Sequence, residues 1–259
     1  MGAFRLPRAD SPRNHSLSAA GVVAALSAEA RTLGTLVKRD DGLWNSRDGT
    51  LIAVSGVGGA AAALAARALL DAGAHALVSW GMAGGLDPRL AAGTVCLPSV
   101  VMSQDGASFS TDTHWRELLR AAIGARQPVV QGKLLTCPEA LADAQGKAAA
   151  FHDTGALVVD MESTAVAEVA ASRGIPFIAV RVVVDTATDS LPPSVVRASS
   201  AGQVNLARLI RGLIASPREI PALLRLAARY RAARLALHTV ALTGSLAPLK
   251  FAASKIRIA

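Results

Sequence analysis

Cysteine is almost absent: the 259 residues hold two, Cys96 and Cys137. They match no metal spacing, and free thiols of a cytoplasmic protein are expected. Aromatic residues are 3% of the chain. Tyr230 is the one aromatic in the basic helical segments near the C-terminus. Base stacking on a nucleic acid therefore has almost nothing to work with there, and no nucleic-acid partner is expected. No stretch reaches the ~18–20 uninterrupted apolar residues of a membrane span. The first residues, "MGAFRLPRADSPRNHSLSAA", lack a continuous apolar core, so no secretory signal is expected. The five histidines, at 15, 75, 114, 152 and 238, are scattered. None stands at ligand spacing beside the acids discussed below, and no metal is expected. Acidic residues nearly vanish after Ser200, where Glu219 alone stands against ten lysines and arginines. That segment carries +9 of the net +8 and the rest of the chain −1.

Apolar residues are plentiful, at 51%. Short apolar runs alternate with helical patterns. Strands are expected at 21–26, 50–56, 75–81, 93–101, 128–135, 155–161 and 176–185. Helices are expected after the first strand and at 58–73, 113–124, 138–151 and 162–174. Pro98 suggests an edge or bulge. Strands bare of polar residues between helices indicate an α/β fold with a mainly parallel sheet covered on both faces. Residues 1–19 read as a flexible leader and 20–199 as the main α/β domain. Residues 200–259 read as a basic helical extension, two helices split at Pro217.

Three features stand where the strands end. "SGVGGAAAALAA" fits the loose G-x-G-x-x-G/A fingerprint through Gly56, Gly58 and Ala61, but no acid closes the next strand to hold a dinucleotide ribose. "SWGMAGGLDP" is a second glycine-rich strand exit, where Gly81, Gly84 and Gly85 would let the backbone turn sharply near a ligand. Four acids follow strands: Glu29, Asp160, Glu162 and Asp185. Singly, each reads more readily as a helix cap or surface acid. Together, at the carboxyl edge of an open sheet, they make a ligand site.

The order "AALSAEA", "SGVGGAAAALAA", "WGMAGGLDP", "VVDMESTAVA", "PFIAVRVVVDTATD" resembles the purine nucleoside phosphorylase / methylthioadenosine–S-adenosylhomocysteine nucleosidase superfamily over roughly residues 20–190. The pairing of "MES-A" with "R-x-x-x-D" is its most specific part. The basic extension is similar to the hopanoid-associated phosphorylase branch, which strips adenine from adenosylhopane. The resemblance implies a three-layer αβα fold with a mixed, mainly parallel central sheet plus a C-terminal helical extension. It implies cleavage of the N-glycosidic bond of a 5′-substituted adenosine, with no cofactor beyond phosphate as a co-substrate of the phosphorylases. It gives Met161 a place under the ribose, Glu162 a hold on the ribose hydroxyls and Asp185 a part in protonating the purine. Glu29 would orient water. Gly56 and Gly58 would lie beside the ribose, and Met82, Ala83 and Gly84 near the nucleophile. Asp160 is expected to support the helix start. The resemblance also implies a cytoplasmic homodimer or larger assembly.

Met82 replaces a common serine, Ala140 the phenylalanine that stacks on the base, and Val184 another serine. Arg31 lies near the place of the phosphate-binding arginine, yet two positions past Glu29. The retained Glu29 favours water as nucleophile, the branch's name favours phosphate, and the reading leans to water. In the extension, Ile220, Leu223, Leu224, Ala227 and Leu235 are expected on one helix face, with Arg218, Arg225 and Arg229 on another. Such a helix suits peripheral contact with an anionic membrane carrying a lipid-linked nucleoside. The alternative is a helix packed on its own domain or on a dimer partner, with solvated arginines.

Overall fold

The computed structural model describes residues 20–190, 199–200, 203–204, 220–243 and 246. The leader and most of the first tail helix lie outside them. In chain order come β1 (Ala20–Ala24), α1 (Ser27–Ala30), β2 (Leu36–Lys38), β3 (Trp44–Ser46), β4 (Leu51–Val54), α2 (Gly59–Asp71) and β5 (Ala76–Gly85). Then follow β6 (Val95–Cys96), β7 (Val100–Ser103), β8 (Ser108–Ser110), α3 (Thr113–Ile123), β9 (Val129–Val130) and β10 (Lys133–Thr136). α4 (Ala144–Thr154), β11 (Ala156–Asp160), α5 (Ser163–Ser172) and β12 (Phe177–Asp185) close the main body. Beyond it lie β13 (Ser199–Ser200), β14 (Gln203–Val204) and α6 (Ile220–Ala241).

The first twelve strands form one mixed sheet. Its centre, β4-β1-β5-β12, is parallel. β5 is the seam: Ala76–Trp80 pair with β1, and Leu77–Gly84 pair with β12. Its last residues, Gly84 and Gly85, pair antiparallel with β11. Beyond β11 the sheet runs in parallel through β10 and β7, and β8 closes it antiparallel. The strand period of two puts Val23, Leu77 and Ala179 on one face, and Val22, Val78, Trp80, Ile178 and Val180 on the other. The first row packs on α2 and α5, the second on α3 and α6. Both rows are apolar because both faces are covered, and each buried Val, Leu or Ile contributes about 1.5–3 kcal/mol. Ala62 and Ala66 of α2 and Ala167 and Ala170 of α5, all buried, let two layers of small side chains close on the sheet.

Several expectations are corrected. The glycine-rich "WGMAGG" does not turn: it is the middle and end of β5. Its glycines answer a demand for room. A Cβ on Gly81 would stand 2.5 Å from Arg181 Nη1 and 2.7 Å from Glu29 Oε1. The helix after β1 is one turn and a 3₁₀ turn (Arg31–Leu33), stopped at Gly34 with φ of 102°. The run 93–101 is split into β6 and β7 around Pro98, and 128–135 into β9 and β10 around Gly132. Helix α4 starts at Ala144, not 138, because Asp143 caps it by accepting the Gly146 N–H at 2.7 Å.

The extension is also corrected. β13 and β14 pair antiparallel where helix is expected. On the apolar face expected for α6, Leu224 and Leu235 are 67% and 63% exposed. Ala233, Ala236, Leu237 and Val240 form the buried seam instead, at i, i+3, i+4 and i+7. Arg229 turns inward to Asp189 at 2.5 Å. The second tail helix is thus part of the domain's core.

Candidate active site

Strand ends deliver the site. β1 leads into Glu29, β4 into the Gly56–Gly58 turn, β11 into Met161 and Glu162, and β12 ends on Asp185. A cavity of about 190 Å³ is lined by Glu29, Met82, Ala83, Gly84, Asp160, Met161, Glu162 and Asp185, with Ala25, Leu26, Val57, Ala140, Leu141, Val159 and Val184 as its apolar wall. Of the site residues expected from sequence, only Gly56 and Gly58 stand off the cavity surface. Both take positive φ, 83° and 104°, which side chains other than hydrogen resist. The turn they make serves a carboxylate of the chain itself: the Gly58 N–H donates to Glu162 Oε1 at 3.0 Å.

Arg181 is the residue that sequence reasoning quoted within "R-x-x-x-D" but gave no role. It is 2% exposed on β12. Its Nε donates to Asp160 Oδ2 at 2.7 Å, and its Nη2 to Ser79 Oγ at 2.7 Å and Ser163 Oγ at 3.2 Å. Glu162 Oε2 lies 3.7 Å from the same nitrogen. Asp160 also accepts from Thr136 Oγ1 at 2.7 Å and from the Ser163 N–H, which caps α5. Its bonds are all to the protein's own frame.

Glu29 is buried and accepts the Met82 N–H at 2.9 Å on one oxygen and the Leu26 N–H at 3.0 Å on the other. Burial raises its pKa, opposed by the charge of Arg181 and by these amides. Burial likewise pushes Glu162 up to about 7, opposed by Arg181 and assisted by Asp160. One guanidinium thus stands among three carboxylates.

Asp185 makes a separate pair. Lys147, fully buried, reaches from α4 to Asp185 Oδ2. Its Nζ also donates to the carbonyls of Thr186 at 2.9 Å and Asp189 at 3.0 Å. Burial raises the pKa of Asp185, and Lys147 works against that rise. Lys147 was missed in the sequence because a lone lysine in "AQGKAAAF" reads as solvated surface. Among the described residues no group of histidines, cysteines and acids could hold a metal. No described helix is long and apolar enough to cross a membrane.

Residues 42–215 match the phosphorylase superfamily, and the chain belongs to that family. Its sequence is 29% identical, over 178 residues, to the 5′-methylthioadenosine/S-adenosylhomocysteine nucleosidase of Treponema pallidum (strain Nichols). The match covers 51% of this chain and spans 64% of that curated relative. The fold is similar to that of the 5′-methylthioadenosine/S-adenosylhomocysteine nucleosidase of Neisseria meningitidis, solved with methylthio-immucillin-A. There the TM-score is 0.63 at 19% identity, over 86% of this chain and 99% of the other. It is similar too to the futalosine hydrolase of Helicobacter pylori strain 26695, with a TM-score of 0.65 at 15% identity, over 90% of this chain and 98% of that one.

Proposed function

We propose that this protein cleaves the N-glycosidic bond of a 5′-substituted adenosine and releases adenine, with water as nucleophile. The observation that carries the reading is one cavity bordered by buried Glu29 and Glu162, Met161 and the Lys147-bound Asp185. Breaking the bond leaves positive charge on the sugar in the transition state. Glu162 on the ribose hydroxyls, over the apolar floor of Met161, interacts more strongly as that charge grows. The purine departs well only when protonated, and Asp185 is placed to supply that proton. Glu29, fixed by two backbone amides, orients the water.

Water is favoured over phosphate by the lining itself. Among the described residues no lysine or arginine lines the cavity, and its four acids are all buried. A phosphate dianion there would face carboxylates with no cation in contact.

For the substrate we propose adenosylhopane, in hopanoid side-chain biosynthesis. The apolar wall of Leu26, Val57, Leu141 and Val184 suits an apolar 5′ substituent. α6 also exposes Leu224 and Leu235 among Arg225, Arg231 and Arg234, a surface suited to peripheral contact with the inner face of an anionic membrane. The second reading, methylthioadenosine or S-adenosylhomocysteine as substrate, is favoured by the 29% identity to the Treponema nucleosidase. The family resemblance supports a homodimer or larger assembly, which sedimentation checks. Adenine release from adenosylhopane, methylthioadenosine and adenosine, each with and without phosphate, separates these readings.

A further inference from the structure

Every residue of α4 is exposed or half-buried except one, and that one is Lys147. An amphipathic helix buries its apolar side; α4 instead sends its one lysine into the protein, with no exposed surface left. Such burial is costly unless every proton of the ammonium finds an acceptor. Three acceptors are there: Asp185 Oδ2 and the carbonyls of Thr186 and Asp189. The turn bearing these carbonyls is closed on itself, since Asp189 Oδ2 accepts the Thr186 N–H at 2.8 Å and its hydroxyl at 2.6 Å. Arg229 of α6 holds the same carboxylate from outside. Lys147 therefore ties α4 to the end of β12 at the residue assigned to the leaving base.

We propose that Lys147 is a positioning residue of the reaction: by bonding Asp185 Oδ2 it directs the acid's proton to Oδ1 and stabilises the carboxylate left when that proton goes to the departing purine. The inference rests on the nucleosidase reading above. The step balances simply. The glycosidic electron pair leaves with the purine, Asp185 Oδ1–H gives its proton to a ring nitrogen, and Asp185 becomes a carboxylate against the Lys147 ammonium. Water adds to the sugar and supplies the proton that restores Asp185. Burial raises the pKa of Asp185 and so favours its proton-bearing form, and Lys147 works against that rise. The charged groups that face the pair are Asp189 on the turn, Arg229 of α6 through Asp189, Arg225 of α6 across a small pocket that Asp185 also lines, and Glu29, Glu162 and Asp160 around Arg181 at the main cavity.

The test is the pH profile of kcat for adenine release by the full chain, as wild type, Lys147→Met and Lys147→Arg. Removing the cation favours the neutral carboxyl, so the alkaline limb of Lys147→Met moves up by about one pH unit or more. Its plateau falls about tenfold or more, because the acid is weaker and no longer aimed. Lys147→Arg keeps the charge, so its limb stays near that of the wild type. Lys147→Gln, uncharged but able to donate, replaces Lys147→Met should that variant not fold, with the same shift expected. A lower plateau with an unmoved limb would show a support of the fold only and overturn the proposal. An active wild type with that result leaves the nucleosidase reading standing, whereas a silent wild type defeats both.

Discussion

Arg181 and Asp160 are in contact at 2.6 Å, with side chains only 2% and 1% exposed. The pair sits beneath the cavity, and Glu29 and Glu162 share its field. Removing one partner of a buried pair leaves the other charge without compensation. Arg181→Met is therefore expected to destabilise the fold by about 3–5 kcal/mol. Urea unfolding measures it. A loss within about 0.5 kcal/mol, the range of a surface substitution, would mean that the acids are not held by Arg181.

Gly81 gives a test of room against turning. A Cβ there would enter the space of Arg181 and of Glu29. Gly81→Ala should lower kcat/KM about a hundredfold through displaced carboxylates, the scale of a misplacement near 1 Å. Its strand conformation tolerates alanine, so the cost in stability should be about 1–3 kcal/mol. Full activity in Gly81→Ala would contradict the packing account.

Glu162 links the site to pH. Burial favours the protonated form and pushes its pKa up to about 7, from the 4.5 of an ordinary glutamate. Between those two values the folded state binds more protons than the unfolded state, so stability falls as pH rises through the window. The fall is at most about 3 kcal/mol. Glu162→Gln should flatten that slope in urea midpoints taken from pH 4.5 to 7, and lower kcat about 10²–10³-fold. An unchanged slope would place the titrating group elsewhere.

α6 makes two demands on two faces. Leu237→Ala, on the buried seam, should cost about 2–5 kcal/mol. Leu224→Asp with Leu235→Asp should leave stability nearly intact and reduce partitioning onto anionic vesicles. Equal partitioning of both forms would remove the membrane from the account. Deleting α6 is no substitute, since its seam belongs to the core.

The α/β class was legible because apolar strands and alanine-rich helices alternate in the chain. The acids were legible because each follows a strand, and strand ends meet at one edge of a sheet. What escaped depends on three-dimensional neighbours. Gly81 looks like a turn residue until Arg181 and Glu29 are seen beside it. Lys147 looks like a surface lysine until α4 is seen against β12. The helical period was visible in α6, but which stripe faces the sheet is decided by β12 and the 3₁₀ turn, whose Thr32 carbonyl lies 2.9 Å from His238 Nδ1. The two glycines at 56 and 58 were found through a nucleotide fingerprint, and the amide of Gly58 serves Glu162.

The most direct measurement is adenine release from 5′-substituted adenosines by the full chain and by Asp185→Asn, with and without phosphate, the sugar product being identified. The account predicts adenine and a free sugar without phosphate, and a loss of about 10²–10⁴-fold in Asp185→Asn. Release that requires phosphate and yields a sugar 1-phosphate would contradict the assignment of water. Undiminished release by Asp185→Asn, or none by the wild type, would contradict the site itself.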